Sequence, residues 1–77
     1  MEMKVKVDNT ITRGVTVERD GKLIFYEVEY NANTNVLKRI VYLGSTYGYS
    51  RDGKIEISSE ILKDMIEILK TMELKLP

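Results

Sequence analysis

The sequence predicts an α+β fold: an antiparallel β-meander of four to five strands followed by one C-terminal amphipathic helix packed on the sheet. Three observations predict it. Apolar residues recur with a period of two before Ser58, Asp-Gly and Asn-rich turn signals interrupt them, and apolar residues recur at helical spacing afterwards. This single change of period predicts one domain over residues 1–77, with a sheet over 2–57, a helix over about 59–72 and a short tail over 73–77.

The first strands are predicted by alternation. Residues 2–7 alternate charged and apolar side chains, as in a half-buried strand, and residues 15–18 do so again up to Asp20-Gly21. That dipeptide tolerates positive φ and predicts a tight type I′ hairpin. The strand after it, from Lys22 to Tyr30, places four residues on one face: Ile24, Tyr26, Val28 and Tyr30.

The next strand follows a polar turn over residues 31–35 and carries apolar residues on both faces. One face holds Val36, Ile40 and Tyr42, and the other holds Leu37, Val41 and Leu43. We therefore expect two covered faces, one under the helix and the other under a partner, a curled sheet or a ligand. A short strand around residues 46–50 and a closing strand over 54–57 complete the predicted sheet.

The helix is predicted to begin at about Ser59, with Ser58 or Ser59 as its N-cap. A core stripe is formed by Ile61, Met65, Ile68 and Met72, and is widened by Leu62, Ile66 and Leu69. The solvent side is assigned to the charged pairs Glu60 with Asp64 and Glu67 with Lys70. Packing against the sheet explains most of this wide apolar arc. Apolar surface beyond what one sheet covers suits a homodimer interface, for which the predicted residues are Leu62, Met65, Ile66, Leu69 and Met72.

The composition excludes several classes of function and of ligand. Twelve basic and twelve acidic residues balance, so the chain lacks the net positive charge of a general duplex-binding protein. With no Cys or His, neither disulfides nor the usual zinc ligands are available, and we expect no metal and no cofactor. The absence of Cys fits the cytoplasm, which we take as the default, and also an outside location that needs no disulfide. The first residues alternate charged and apolar side chains, so they cannot form the apolar region of a signal sequence, and no apolar run approaches the length of a membrane span. The composition is similar to that of heat-adapted proteins.

The sequence lacks most of the residue types and motifs that catalysis uses. It has no His base, no Cys nucleophile and no Gly-rich phosphate loop. Glu27 and Glu29 share a strand face, but alternating acids on a strand are more often a solvated face than a catalytic or metal pair. We therefore expect a protein that is not an enzyme and has no small-molecule substrate.

The aromatic residues cluster in the middle of the chain and are interleaved with basic side chains. Unpaired bases stack on aromatic rings while Lys or Arg contacts phosphates, so this pattern fits a single-strand binding surface. The better surface candidates are Tyr42, Tyr47, Tyr49 and Arg51, which flank the glycines of the irregular segment. In the alternative interpretation the tyrosines are strand formers, and Tyr26 and Tyr30 pack under the helix.

Residues 15–30, VTVERDGKLIFYEVEY, resemble the central hairpin of the positive cofactor four family of transcriptional coactivators, and residues 53–60, GKIEISSE, are similar to its last strand and helix cap. The resemblance implies four strands before one helix, helices that pair two subunits, and binding of single-stranded DNA. It implicates Lys22, Tyr30 and Lys54. The chain departs from that family in having no Trp, a thinned basic cluster and an added strand over 36–43.

These observations predict a small, non-enzymatic homodimer that binds single-stranded DNA or RNA. The predicted nucleic-acid-binding residues are Lys22, Tyr30, Arg39, Tyr42, Tyr47, Tyr49, Arg51 and Lys54. The alternative is a protein–protein interaction or assembly module without nucleic-acid binding, for which neutral charge is no objection.

Overall fold

The computed structural model describes residues 2–45 and 58–77. Within these ranges one antiparallel sheet has the strand order β1-β2-β3, formed by β1 (Thr10–Arg19), β2 (Lys22–Asn31) and β3 (Leu37–Ser45), and is followed by the helix α1 (Ser59–Thr71). The predicted α+β meander with one following helix is confirmed to this extent. The strands predicted over 46–50 and 54–57 lie outside the described residues.

Residues 2–9, here called the arm, form no strand, contrary to the prediction from their alternation. Met3, Val5 and Val7 are 87%, 79% and 84% exposed. Alternation shows that a segment is suited to a half-buried strand, but a strand also needs a neighbouring edge with which to pair. At this end of the sheet, the last backbone hydrogen bond runs from the Ala32 N–H to the Asn9 carbonyl at 2.8 Å. Residues 2–8 of the arm extend beyond it.

The hairpin between β1 and β2 is tight, as predicted. Asp20 and Gly21 both have positive φ, 51° and 76°, which is the conformation that a type I′ turn requires. Arg19 therefore lies directly opposite Lys22. The turn fixes the register of both ten-residue strands and so decides which side chains face the helix.

The turn between β2 and β3 is closed by the side chain of Asn31. Its Oδ1 accepts hydrogen bonds from the backbone N–H groups of Asn33 and Thr34 at 2.9 and 3.1 Å. Asn35 has a φ of 58°, in the left-handed region that asparagine tolerates. The polar turn predicted over residues 31–35 is confirmed.

Two irregularities in the pairing of β3 with β2 change which side chains face the core. Lys38 and Leu43 have no opposite residue in β2. As a result, Leu37 lies opposite Tyr30 while Ile40 lies opposite Val28. Leu37 therefore packs on the core together with Ile40 and Tyr42, whereas plain alternation had placed it on the opposite face. A bulge adds one residue to a strand and reverses the phase of the residues beyond it, which explains the error.

The helix covers one face of the sheet, here called the helix face; the opposite face is called the far face. Ser58 caps α1, with its Oγ accepting from the Ile61 N–H at 3.3 Å. The buried core lies between β2 and α1 and consists of Ile24, Tyr26, Val28, Tyr30, Ile61 and Ile68. The tail then returns to the sheet, where Leu74 packs on the core and Lys75 pairs in parallel with Val36.

Candidate interaction surfaces

The predicted nucleic-acid residues do not converge on one surface in the part of the chain that the structure describes. Tyr47, Tyr49, Arg51 and Lys54 lie outside the described residues. The other four, Lys22, Tyr30, Arg39 and Tyr42, occupy different faces and both ends of the sheet.

Tyr30 must be removed from the predicted site. It is 7% exposed and lies in the core cluster, so its ring is not accessible to a base. Tyr42 is half-buried, and its ring packs against that of Tyr26 with centroids 5.7 Å apart and planes inclined at 59°. Both tyrosines belong to the helix face, where their rings pack in or against the core.

The two basic members of the set are far apart. Lys22 lies at the hairpin turn, whereas Arg39 lies opposite Glu29 near the other end of β2, roughly 23 Å away at the usual rise of a strand. Arg39 lies on the far face, and its Nη2 is 3.5 Å from the Glu29 carboxylate. An exposed pair of this kind contributes little to stability, but it partly neutralises the cation.

The far face is apolar at one end and acidic at its centre. Leu23 and Phe25 are 39% and 37% exposed, and lie toward the hairpin end of this face of β2. Glu27 and Glu29 follow on the same face of β2, as the alternation predicts. Carboxylates repel phosphate, so the described part of this face is better suited to an apolar protein segment than to a nucleic-acid backbone.

The helix residues predicted to form a dimer interface divide into two sets. Met65 and Met72 pack against the core, and Leu69 is half-buried. Leu62 and Ile66 are 50% and 51% exposed. Of the five, Leu62 and Ile66 therefore expose about half of their surface, and they lie one helical turn apart.

The best-formed polar cluster links the helix to the hairpin and was missed by the sequence interpretation. Asp64 is 6% exposed, although it had been assigned to the solvent side of the helix. Its Oδ1 accepts from Arg19 Nη1 at 2.6 Å, and its Oδ2 accepts from the Tyr26 hydroxyl at 2.8 Å. Both carboxylate oxygens thus have a partner, as a buried charge requires.

Burial is the main reason that the pKa of the Tyr26 hydroxyl is raised above its ordinary value of 10.0, and its hydrogen bond to Asp64 adds to the effect. Beside this cluster, Arg19 also approaches Glu60, with Nη2 and Oε2 3.5 Å apart. The sequence did contain a signal for Asp64, because its spacing from Ile61 and Ile68 places it in the core stripe. The charge of Asp64 predicts exposure, whereas its position on the helix predicts burial.

An open cleft of about 510 Å³ lies between α1 and the end of β1. Its lining consists of Arg19, Glu60, Lys63, Asp64, Ile66, Glu67 and Lys70. Basic and acidic side chains balance in this lining, and Asp64 is already paired, so the cleft favours neither a phosphate nor a cation. The described residues contain no cluster of acidic side chains suited to a metal ion.

Comparisons of the chain with protein-family models, with curated proteins and with solved structures each find no match. In residues 2–45 and 58–77, no helix has the length and apolar character needed to cross a membrane.

Proposed function

We propose that the protein is a small, non-enzymatic interaction module that associates with a second copy of itself. The observation that carries this proposal is the amount of apolar surface left outside the core. Among the described residues, nine large apolar side chains are exposed on the arm, the sheet, the helix and the tail: Met3, Val5, Val7, Leu23, Phe25, Leu43, Leu62, Ile66 and Leu76.

A chain of 77 residues gains little from its own core, because a small domain buries a small fraction of its surface. Association of two chains buries more apolar surface without adding sequence, and closed twofold dimers are the commonest solution. The balanced charge of twelve basic and twelve acidic residues places no large electrostatic penalty on the approach of two identical chains.

The non-enzymatic part of the proposal is supported by the chemistry of the described side chains. Asp64, the one buried carboxylate among them, is paired with Arg19 and Tyr26, and Glu29 pairs with Arg39. The Asp64 contacts hold the helix on the sheet, and both oxygens of this carboxylate are occupied.

Sedimentation equilibrium over a wide range of protein concentration, at low and high salt, tests this function. We expect a species of twice the 8.9 kDa chain mass that persists at high salt, because apolar contacts are not screened. A mass of 8.9 kDa at every concentration would contradict the proposal.

Binding of single-stranded nucleic acid is the second candidate. Its support is the concentration of Tyr47, Tyr49, Arg51 and Lys54 in one short stretch of sequence. Fluorescence anisotropy of a labelled oligonucleotide at two salt concentrations distinguishes the candidates. Binding that weakens steeply with salt and is lost on Tyr49→Ala or Arg51→Ala would favour this second function.

A further inference from the structure

The arm has the alternating side chains of a strand, but it is not paired with any strand of the described chain. Its apolar residues alternate with charged ones, and Met3, Val5 and Val7 are among the most exposed apolar side chains described. Residues 2–7 make no hydrogen bond or ion pair within the described part of the chain. Their backbone donors and acceptors are therefore free to pair with another strand.

The outer edge of β1 offers a complementary surface. β1 is an edge strand, since its one neighbour in the described sheet is β2. In a hairpin closed by two residues, Arg19 and Lys22 form a hydrogen-bonded pair, so the odd-numbered residues of β1 bond to β2. The N–H and C=O groups of the even-numbered residues, from Thr10 to Glu18, then point outward. Long edges of this kind are templates for strand addition.

We propose that the arm of one copy pairs antiparallel with the outer edge of β1 in a second copy, and reciprocally, about a twofold axis at Ile11. This inference rests on the self-association proposed above and names the surface that produces it. The two three-stranded sheets then become one continuous sheet, with each β1 lengthened by its own arm. The interface is isologous, because the same segments meet from both sides.

The side chains select this register. It places Val5 opposite Val17, Val7 opposite Val15, and Lys4 opposite Glu18. Val15 and Val17 are half-buried at the margin of the core, on the helix face, so the arm valines extend the apolar layer that these residues begin. The Lys4 and Glu18 pair joins opposite charges on the far face, and such cross-strand pairs are stabilising.

The register with its axis at Thr10 is less favourable, because it loses the pairing of Lys4 with Glu18. A shift of the axis by one residue, to Thr10, places Glu2 opposite Glu18 and Val7 opposite Arg13. Like charges directly opposite are destabilising, and a valine gains less beside an exposed arginine than beside Val15. Pairing of odd with even residues would instead move Val5 and Val7 to the far face and break their continuity with the core.

Disulfide trapping tests the proposal directly, because the chain has no cysteine of its own. The V5C/V17C double variant should form a covalent dimer under mild oxidation, visible on a non-reducing gel. With Asn9 held at the end of β2, positions 5 and 17 of one chain stay at least about 12 Å apart, beyond the reach of a disulfide. Any bond between them therefore joins two copies.

The matched control is V5C/T16C, which moves one thiol by a single residue to the opposite face of β1. We expect its cross-linking to be at least about fivefold slower, because its Cβ vectors point apart. Equal rates for both double variants, in a protein that sedimentation shows to be dimeric, would overturn the arm exchange and leave self-association standing. A monomer at every concentration would overturn both proposals.

Charge reversal provides a second measurement that needs no oxidation. Lys4→Glu should raise the dimer dissociation constant about tenfold, because the change places two carboxylates opposite each other at both ends of the interface. The double variant K4E/E18K should restore it. Lys6→Glu is the control, since this residue lies opposite uncharged Thr16. Equal effects of Lys4→Glu and Lys6→Glu, without rescue by the double variant, would refute the register.

Discussion

Removal of the Tyr26 hydroxyl is the sharpest test of how the helix is held on the sheet. Tyr26 is 1% exposed, and its hydroxyl is 2.8 Å from the buried Asp64 carboxylate. Tyr26→Phe keeps the ring and its packing but leaves Oδ2 of Asp64 without this donor. A hydrogen bond to a buried charged group contributes about 1.5–3 kcal/mol, so we expect the free energy of unfolding to fall by about 2 kcal/mol.

Urea unfolding followed by far-ultraviolet circular dichroism measures this loss, at one fixed protein concentration because association would contribute to stability. Tyr42→Phe is the matched control. Its ring also packs in the helix-face layer, but its hydroxyl makes no hydrogen bond among the described residues. We expect Tyr42→Phe to change the free energy of unfolding by less than about 0.5 kcal/mol.

A double-mutant cycle with Asp64→Asn separates the contact itself from other effects of each change. The two substitutions should be non-additive by about 1 kcal/mol or more, since neighbouring groups in one hydrogen-bond network couple. A loss from Tyr26→Phe no larger than that from Tyr42→Phe, with additive effects in the cycle, would refute the importance of the Tyr26 and Asp64 bond.

Three further predictions concern Tyr26, Ser58 and Thr10. The raised pKa of Tyr26 means that the unfolded chain loses this proton first as pH rises, so stability should fall above about pH 10 by up to about 1.4 kcal/mol per pH unit. Urea titrations in alkaline buffers should show a smaller fall for Tyr26→Phe, and an identical fall would contradict this assignment. Ser58→Ala should cost about 1 kcal/mol in thermal unfolding because the Ile61 N–H loses its cap, whereas Ser59→Ala serves as the neighbouring control. Thr10→Val should raise stability by about 1 kcal/mol in urea unfolding, because the buried Thr10 hydroxyl has no hydrogen-bond partner in the described structure; a loss of stability would show that the hydroxyl is satisfied.

The hairpin and the helix could be predicted from sequence because their determinants are local. Asp20 and Gly21 supply the positive φ angles of the turn, and Ser58 supplies the cap. The core face of β2 follows from a strict alternation between Ile24 and Tyr30, because the extra residue at each irregularity lies on β3 and not on β2. Each of these features depends on residues that are close together in the sequence.

The errors arise where a distant partner decides the outcome. Leu37 faces the core because β3 pairs irregularly with β2, and nothing near Leu37 in the sequence marks the bulge. Asp64 is buried because Arg19 and Tyr26, both on other elements, supply its donors. The arm has the alternating side chains of a strand. It does not form one, because no strand edge of the described chain lies beside it.

The position of Arg19, immediately before the turn, has a consequence for the order of folding. A two-residue hairpin closes within microseconds and needs no contact from elsewhere. Until it closes, Arg19 and Tyr26 are not held in the geometry that Asp64 requires, and the helix would have to bury a carboxylate without donors. We therefore expect the turn to form early and helix docking to be late, so that substitutions at Gly21 slow folding whereas substitutions at Asp64 mainly accelerate unfolding.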